Sequence, residues 1–192
     1  MMNAIEIMME EHQYILRMLK VVRKACYKVL QGSEIDYEDF NLIIDFIRHY
    51  ADGHHHNKEE IMLFNRMVEN LGALGEKTIK YGMLVEHDLG RLYVNNLVAA
   101  LEKTKEGNEE AKLDVIANAV SYGDLLQRHI DKEDKVIYNF AKRELKPEVI
   151  EVIDKECIDY ENTNKEVKDK NILILEKLEK KYTPIKRVAM PQ

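Results

Sequence analysis

The sequence predicts an all-α protein, an up-down-up-down antiparallel four-helix bundle followed by a helical C-terminal extension. Three observations predict it. Of the 192 residues, 45% are hydrophobic and 33% charged, with 8 Gly, 3 Pro and no Trp, a balance that suits amphipathic helices rather than disorder or a turn-rich β-sandwich. Four stretches of roughly 25 to 35 residues carry apolar side chains at helical spacing. Short glycine-containing segments separate most of them, as between antiparallel neighbours in a bundle.

The first helix is expected from Ala4 to Leu30, with Ile5, Met8, Ile15, Leu19, Val22 and Cys26 on its apolar stripe and Gly32-Ser33 as its stop. A second begins near Asp36, a plausible N-cap, presents Phe40, Ile43, Ile44, Ile47 and Ala51 on one face, and ends near Asn70. The third spans about Glu76 to Lys105 and stops at Gly107-Asn108; the fourth runs from about Glu109 to Leu145, ahead of Pro147. Residues 1–146 thus form the expected bundle and 147–192 the extension. Within the extension, an apolar stretch from Val149 to Ile158 precedes a polar turn at Glu161–Asn164 and a helix through Ile172, Leu175 and Leu178, and residues 183–192 are expected to fray. The extension is expected to pack on the bundle or to make a homodimer contact.

A net charge of -6 leaves no basic footprint for nucleic acid or an anionic membrane surface. No segment is apolar enough to span a bilayer, and the first residues lack the pattern of a signal peptide. Cys26 and Cys157 stand far apart with no CxxC, which points to a reducing cytoplasm. Walker, dinucleotide and nucleophile-elbow motifs are absent, which disfavours nucleotide and hydrolase chemistry.

The histidines carry the chemistry. His12 and His87 lie 75 residues apart and His55 and His129 lie 74 apart, which reveals a two-fold internal repeat. Residues 55–65 and 129–139 share the order His, two residues, Lys, Glu, acid, two residues, aliphatic, aromatic, Asn; Glu11-His12 and Glu86-His87 form the other matched pair. A histidine and a glutamate at i and i+4 project from one helix face and can reach a metal inside a bundle. The repeat selects His55 with Glu59 over His56 with Glu60, and the regular helical phase places His55 with Ile44, Ile47, Ala51 and Met62. By the same phase His56 shares a face with Asp45, His49 and Asp52, so His49, His54 and His56 are expected outside the site. His12, His55, His87 and His129 with Glu59 and Glu133 then form a set of four imidazoles and two carboxylates. Such a set overfills one tetrahedral site and suits two ions, with iron favoured and manganese or zinc as substitutes.

These motifs, together with Gly90-Arg91 after His87 and Ile137-Tyr138 after Glu133, resemble hemerythrin-like proteins of the HHE cation-binding type over residues 4–145. The resemblance implies a non-haem di-iron centre with an oxo or hydroxo bridge, both glutamates bridging, His12 and His55 on one iron and His87 and His129 on the other. It also implies a small diatomic or peroxide ligand and an electron donor of unknown identity. Oxygen-carrying hemerythrins add a fifth histidine one turn along the third helix, where this chain has Met83 and Arg91. One imidazole is therefore expected to be missing, unless Glu60, Glu86, Tyr14 or Tyr122 substitutes, and both irons are expected to keep open positions. The resulting functional expectation is a cytoplasmic di-iron protein that binds or reduces dioxygen, peroxide or nitric oxide, turning the oxidant over more readily than holding a lasting dioxygen adduct, and so an oxidoreductase rather than a simple oxygen carrier. Its alternative is an iron or oxygen sensing or storage module.

Overall fold

The computed structural model describes residues 2–183. Six helices account for nearly all of them: α1 (Ala4–Leu30), α2 (37–70), α3 (72–105), α4 (111–144), α5 (Pro147–Thr163) and α6 (Lys165–Tyr182). The chain termini of these helices follow from local chemistry. Asn3 and Glu6 form a reciprocal capping box at the start of α1, each side chain accepting the other's backbone N–H at 3.0 Å. Asp36 caps α2 by accepting from the Asp39 N–H, and Pro147 opens α5 at a position where its missing N–H is not needed. Gly32 and Gly107 terminate α1 and α3 with φ of +89° and +93°, a conformation that a Cβ would strain.

Helices α2, α3 and α4 are not regular throughout. Wider turns with i→i+5 hydrogen bonding occupy Ile47–His56 and Glu59–Phe64 in α2, Ile79–Met83 in α3 and Glu133–Ile137 in α4. These stretches fall on or beside the histidine and glutamate motifs.

Two apolar cores result, with a polar layer between them. One is built around Ile15, Met18, Val21, Phe40, Ile43, Phe46, Leu97, Val115 and Ala119. The other contains Met8, Leu63, Phe64, Met67, Ile79, Tyr138, Ala141 and Ile153. Helices α1 to α4 each contribute to both. The extension folds back on the protein: Ile153 and Cys157 of α5 join the second core, while Leu175, Leu178 and Tyr182 of α6 join the first against α1 and α2. The polar turn expected at Glu161–Asn164 is shorter than that, because α5 stays helical through Thr163 and the chain breaks at Asn164. The fraying expected for 183–192 falls outside the described residues except at Thr183. Among the described residues no helix is long and apolar enough to cross a membrane.

Candidate metal centre

The polar layer contains His12 of α1, His55, His56 and Glu59 of α2, His87 of α3, and His129 and Glu133 of α4, all buried. All six residues expected from the repeat are brought together, and His56 joins them. The ligand-capable atoms form two overlapping groups, His56–Glu59–His87–His129 and His12–His55–Glu59–Glu133, each with its atoms within 4.8 Å of one another. Glu59 belongs to both. Its Oε2 lies 3.6 Å from both His55 Nε2 and His87 Nε2. Glu133 likewise lies between the groups, with Oε2 3.3 Å from His12 Nε2 and Oε1 3.0 Å from His129 Nε2.

Each of the five histidines directs Nδ1 at a carboxylate outside the group and Nε2 inward. The pairs are His12 with Asp134 at 2.7 Å, His55 with Glu11 at 2.9 Å, His56 with Asp52 at 3.1 Å, His87 with Glu60 at 2.7 Å and His129 with Glu86 at 2.9 Å. An imidazole that donates from Nδ1 keeps Nε2 as an acceptor and is fixed in tautomer and orientation, the usual support of a metal-ligating histidine. Four of these carboxylates are in turn paired with cations: Glu11 with Lys58, Glu86 with Lys132, and both Asp52 and Glu60 with Arg91. The internal repeat extends to this outer ring, since Glu11, Lys58 and Glu60 correspond to Glu86, Lys132 and Asp134.

The unsatisfied atoms show what the interior fits. Glu59 Oε2 and both carboxylate oxygens of Glu133 are buried with no hydrogen-bond partner, and a buried acceptor left unpaired is costly. His87 Nε2 and His129 Nε2 face one another at 2.9 Å although both Nδ1 atoms already point at carboxylates. Closely spaced imidazole nitrogens and orphaned carboxylate oxygens call for cations, and the mixed nitrogen and oxygen donors suit iron, manganese or zinc. The electrostatics agree. Burial and the Glu133 charge push the Glu59 carboxyl up to about 8. Burial also acts against protonation of His12 and His87, but carboxylates outweigh it: Asp134 and Glu133 raise His12 to about 10, and Glu133 and Glu60 raise His87 to about 9. His55 goes the other way, lowered to about 4 by burial and the neighbouring His12. Metal-free, the interior holds protons where cations would sit.

Two expectations from the sequence are corrected here. His56 is buried and stacks on His87, with ring centroids 3.8 Å apart, so the group does not lack a fifth imidazole; α2 supplies it rather than α3. A regular helical phase had placed His56 outside, but the wider turns of Ile47–His56 change the angular step and bring neighbouring positions to the same side. His54, outside both groups, is buried against Glu11, Lys58 and Glu161, while His49 is at the surface. Glu60 and Glu86, considered as extra ligands, orient His87 and His129 instead. Tyr14 packs edge-on against Tyr50. Tyr138, seen from sequence as the counterpart of Phe64, donates its hydroxyl to Glu59 Oε1 at 2.5 Å and stacks parallel to His12.

A cavity of about 320 Å³ opens between α2 and α3 and reaches His56 and His87, lined by Ile47, Gly90, Val94 and Tyr122, with Arg48 and Arg91 toward the surface. Fold and site together define a helical protein in which buried imidazoles and carboxylates from four helices could hold a cation. A family model for the hemerythrin HHE cation binding domain matches residues 3–141, well over half of the chain, and the chain belongs to that family. No curated protein and no solved structure matches it.

Proposed function

We propose that the centre holds two iron ions and binds a small oxidant such as dioxygen, nitric oxide or peroxide at one of them. The observation that carries this reading is the inequality of the two halves. His56, His87 and His129 supply three imidazoles to one half, whereas His12 and His55 supply two to the other, and Glu59 and Glu133 lie between. With equal shares of the carboxylates, the two-histidine half has one protein donor fewer and leaves a position for an exogenous ligand. The order in which α1 to α4 cross the polar layer supports an up-down-up-down antiparallel bundle around it. Manganese or zinc would satisfy the same donors.

An iron pair would supply the electron transfer that these side chains lack. The protein supplies the rest. Nδ1 bonds hold the imidazoles in place, and the apolar cores on either side exclude bulk water. Tyr138, over the two-histidine half, offers a hydroxyl 3.5 Å from His12 Nε2 as well as to Glu59, so it is placed to donate a hydrogen bond to a bound ligand. The cavity beside His56 and His87 lies against the three-histidine half and is large enough to hold a small molecule; Ile47, Val94 and Tyr122 line it together with Asp52, Asn95, Arg48 and Arg91. Buried, unpaired Cys26 and Cys157 are in keeping with a reducing cytoplasm.

The inequality replaces the expectation of two open irons and favours binding at a single position over turnover. Protein loaded with two equivalents of ferrous iron without oxygen, then exposed to air, should develop a visible band that fades on degassing, and Tyr138→Phe should shorten its lifetime without loss of iron. Rapid, irreversible oxidation of the wild type would instead support reduction of the oxidant. Binding of fewer than two irons would overturn the paired reading.

A further inference from the structure

We propose that the C-terminal extension completes the metal centre: Glu161 of α5 and the buried Lys58 are positioning residues for His55, acting through Glu11. This rests on the two-ion reading above and concerns a segment outside the residues matched by the family model.

The contacts form an unbroken chain. His55 Nδ1 donates to Glu11 Oε2 at 2.9 Å. The other oxygen of Glu11 accepts from Lys58 Nζ, which also donates to Glu161 Oε1. Lys58 is wholly buried, 3.1 Å from His54 Nε2 and with Tyr160 of α5 packed 5.5 Å from its ammonium. On the far side, Lys168 of α6 holds the second oxygen of Glu161 at 3.1 Å. Thus α5 and α6 meet at the polar layer, and their shared ion pairs end on a carboxylate that orients a ligand-capable histidine.

The internal repeat supplies the control. His129, Glu86 and Lys132 are the counterparts of His55, Glu11 and Lys58, with the same pairing. Lys132 is 47% exposed whereas Lys58 is 0% exposed. The solvated pair needs no further partner, since water screens it. The buried pair does: a carboxylate removed from water next to an ammonium removed from water is stable only when the remaining donors are satisfied. Lys58 finds them in Glu161 and His54. Glu11 is the acceptor that orients the His55 ring. Without Lys58, Glu11 would be an uncompensated buried charge; without Glu161, Lys58 would lose half of its counter-charge and its tie to α5.

The test is a stepwise cobalt(II) titration of the full chain, read by visible absorption, on wild type, Lys58→Met, Glu161→Gln and Lys132→Met. In Lys58→Met and Glu161→Gln, one of the two ions should weaken by about 10- to 100-fold while the other stays within about twofold, as for loss of a ligand-orienting partner. Lys132→Met should weaken the other ion, and by less. Glu161→Asp should restore part of the loss. If the first two variants keep a wild-type circular dichroism spectrum and bind both ions as wild type does, or lose both in equal measure, the proposal is overturned. A wild type that binds one ion would instead count against the two-ion reading. For that case, and for a Lys58→Met chain that does not fold, hydrogen exchange on the unmutated protein decides: cobalt should slow exchange around Glu161 in α5, and unchanged exchange there overturns the proposal.

Discussion

The imidazoles of His56 and His87 lie face to face, with ring planes 8° apart. The relationship breaks the internal symmetry of the protein. In the repeat, His56 stands where the second half has Ile130, and its partner Asp52 stands where the second half has Leu126. A histidine and the carboxylate that orients it have therefore been placed together on one side of a centre that is otherwise duplicated. Tyr138, opposite its counterpart Phe64, marks the other side.

His56→Ala should weaken cobalt or iron binding at one ion by at least about tenfold, because it removes a donor and not merely an orienting group. The exposed His49→Ala should bind both ions as wild type does. Equal behaviour of the two variants in a metal titration would return His56 to the surface role that a regular helix assigns it.

Glu59→Gln should trade metal binding for metal-free stability. With its carboxyl raised to about 8, native Glu59 retains a proton that the unfolded chain releases near its ordinary pKa of 4.5. The native state then binds more protons than the unfolded state across that window, so wild-type stability falls as pH rises through it. Glutamine has no such loss. Thermal melts of metal-free protein should show the variant ahead of wild type by a margin that grows from about pH 5 to pH 8, while cobalt affinity drops.

Loading should be a proton exchange. His12 and His87, raised to about 10 and about 9, carry protons in the metal-free protein at neutral pH, and a cation must displace them. Cobalt affinity should therefore climb between pH 6.5 and 8.5, by about tenfold per pH unit for each proton released. Calorimetry in buffers of different ionisation enthalpy counts those protons. An affinity independent of pH would show that the histidines are already neutral.

Leu178→Ala tests whether α6 is an integral part of the fold. The side chain is fully buried in the larger core, and its truncation should cost about 2–5 kcal/mol in urea unfolding. Leu173→Ala, on the exposed side of the same helix, should change stability by less than about 0.5 kcal/mol.

Much of this organisation was legible in the amino-acid order. Helix ends follow Asp36, Gly32, Gly107 and Pro147, whose effects are local, and the repeat aligns His12, His55, His87 and His129 with Glu59 and Glu133 without any knowledge of contacts. His56 was missed because the inference assumed a constant angular step, and nothing in Ile47–His56 announces wider turns except the run of polar residues in a helix that should be amphipathic. The role of Glu161 was out of reach for another reason. Its partner Lys58 lies 103 residues away in the chain, and no periodicity connects them. The glutamates preceding His12 and His87 were visible as a matched pair, yet their function depends on the crossing of helices: each orients the histidine of the neighbouring helix and not its own neighbour.

The division of the interior into two apolar cores gives the metal-free protein a seam. Each core is cohesive by itself, whereas the layer between them holds buried carboxylates with unpaired oxygens, closely spaced imidazoles and the wide helical turns. Local opening is favoured where cohesion is least, and in the metal-free protein this layer is such a place at mid-height. A cation bound there acts as a rivet through four helices, and α5 with α6, one on each core and joined beside the layer, is a splint across the same line. Occupancy is then written into the mechanics of the molecule: the loaded protein resists parting as one body, and the empty one yields as two.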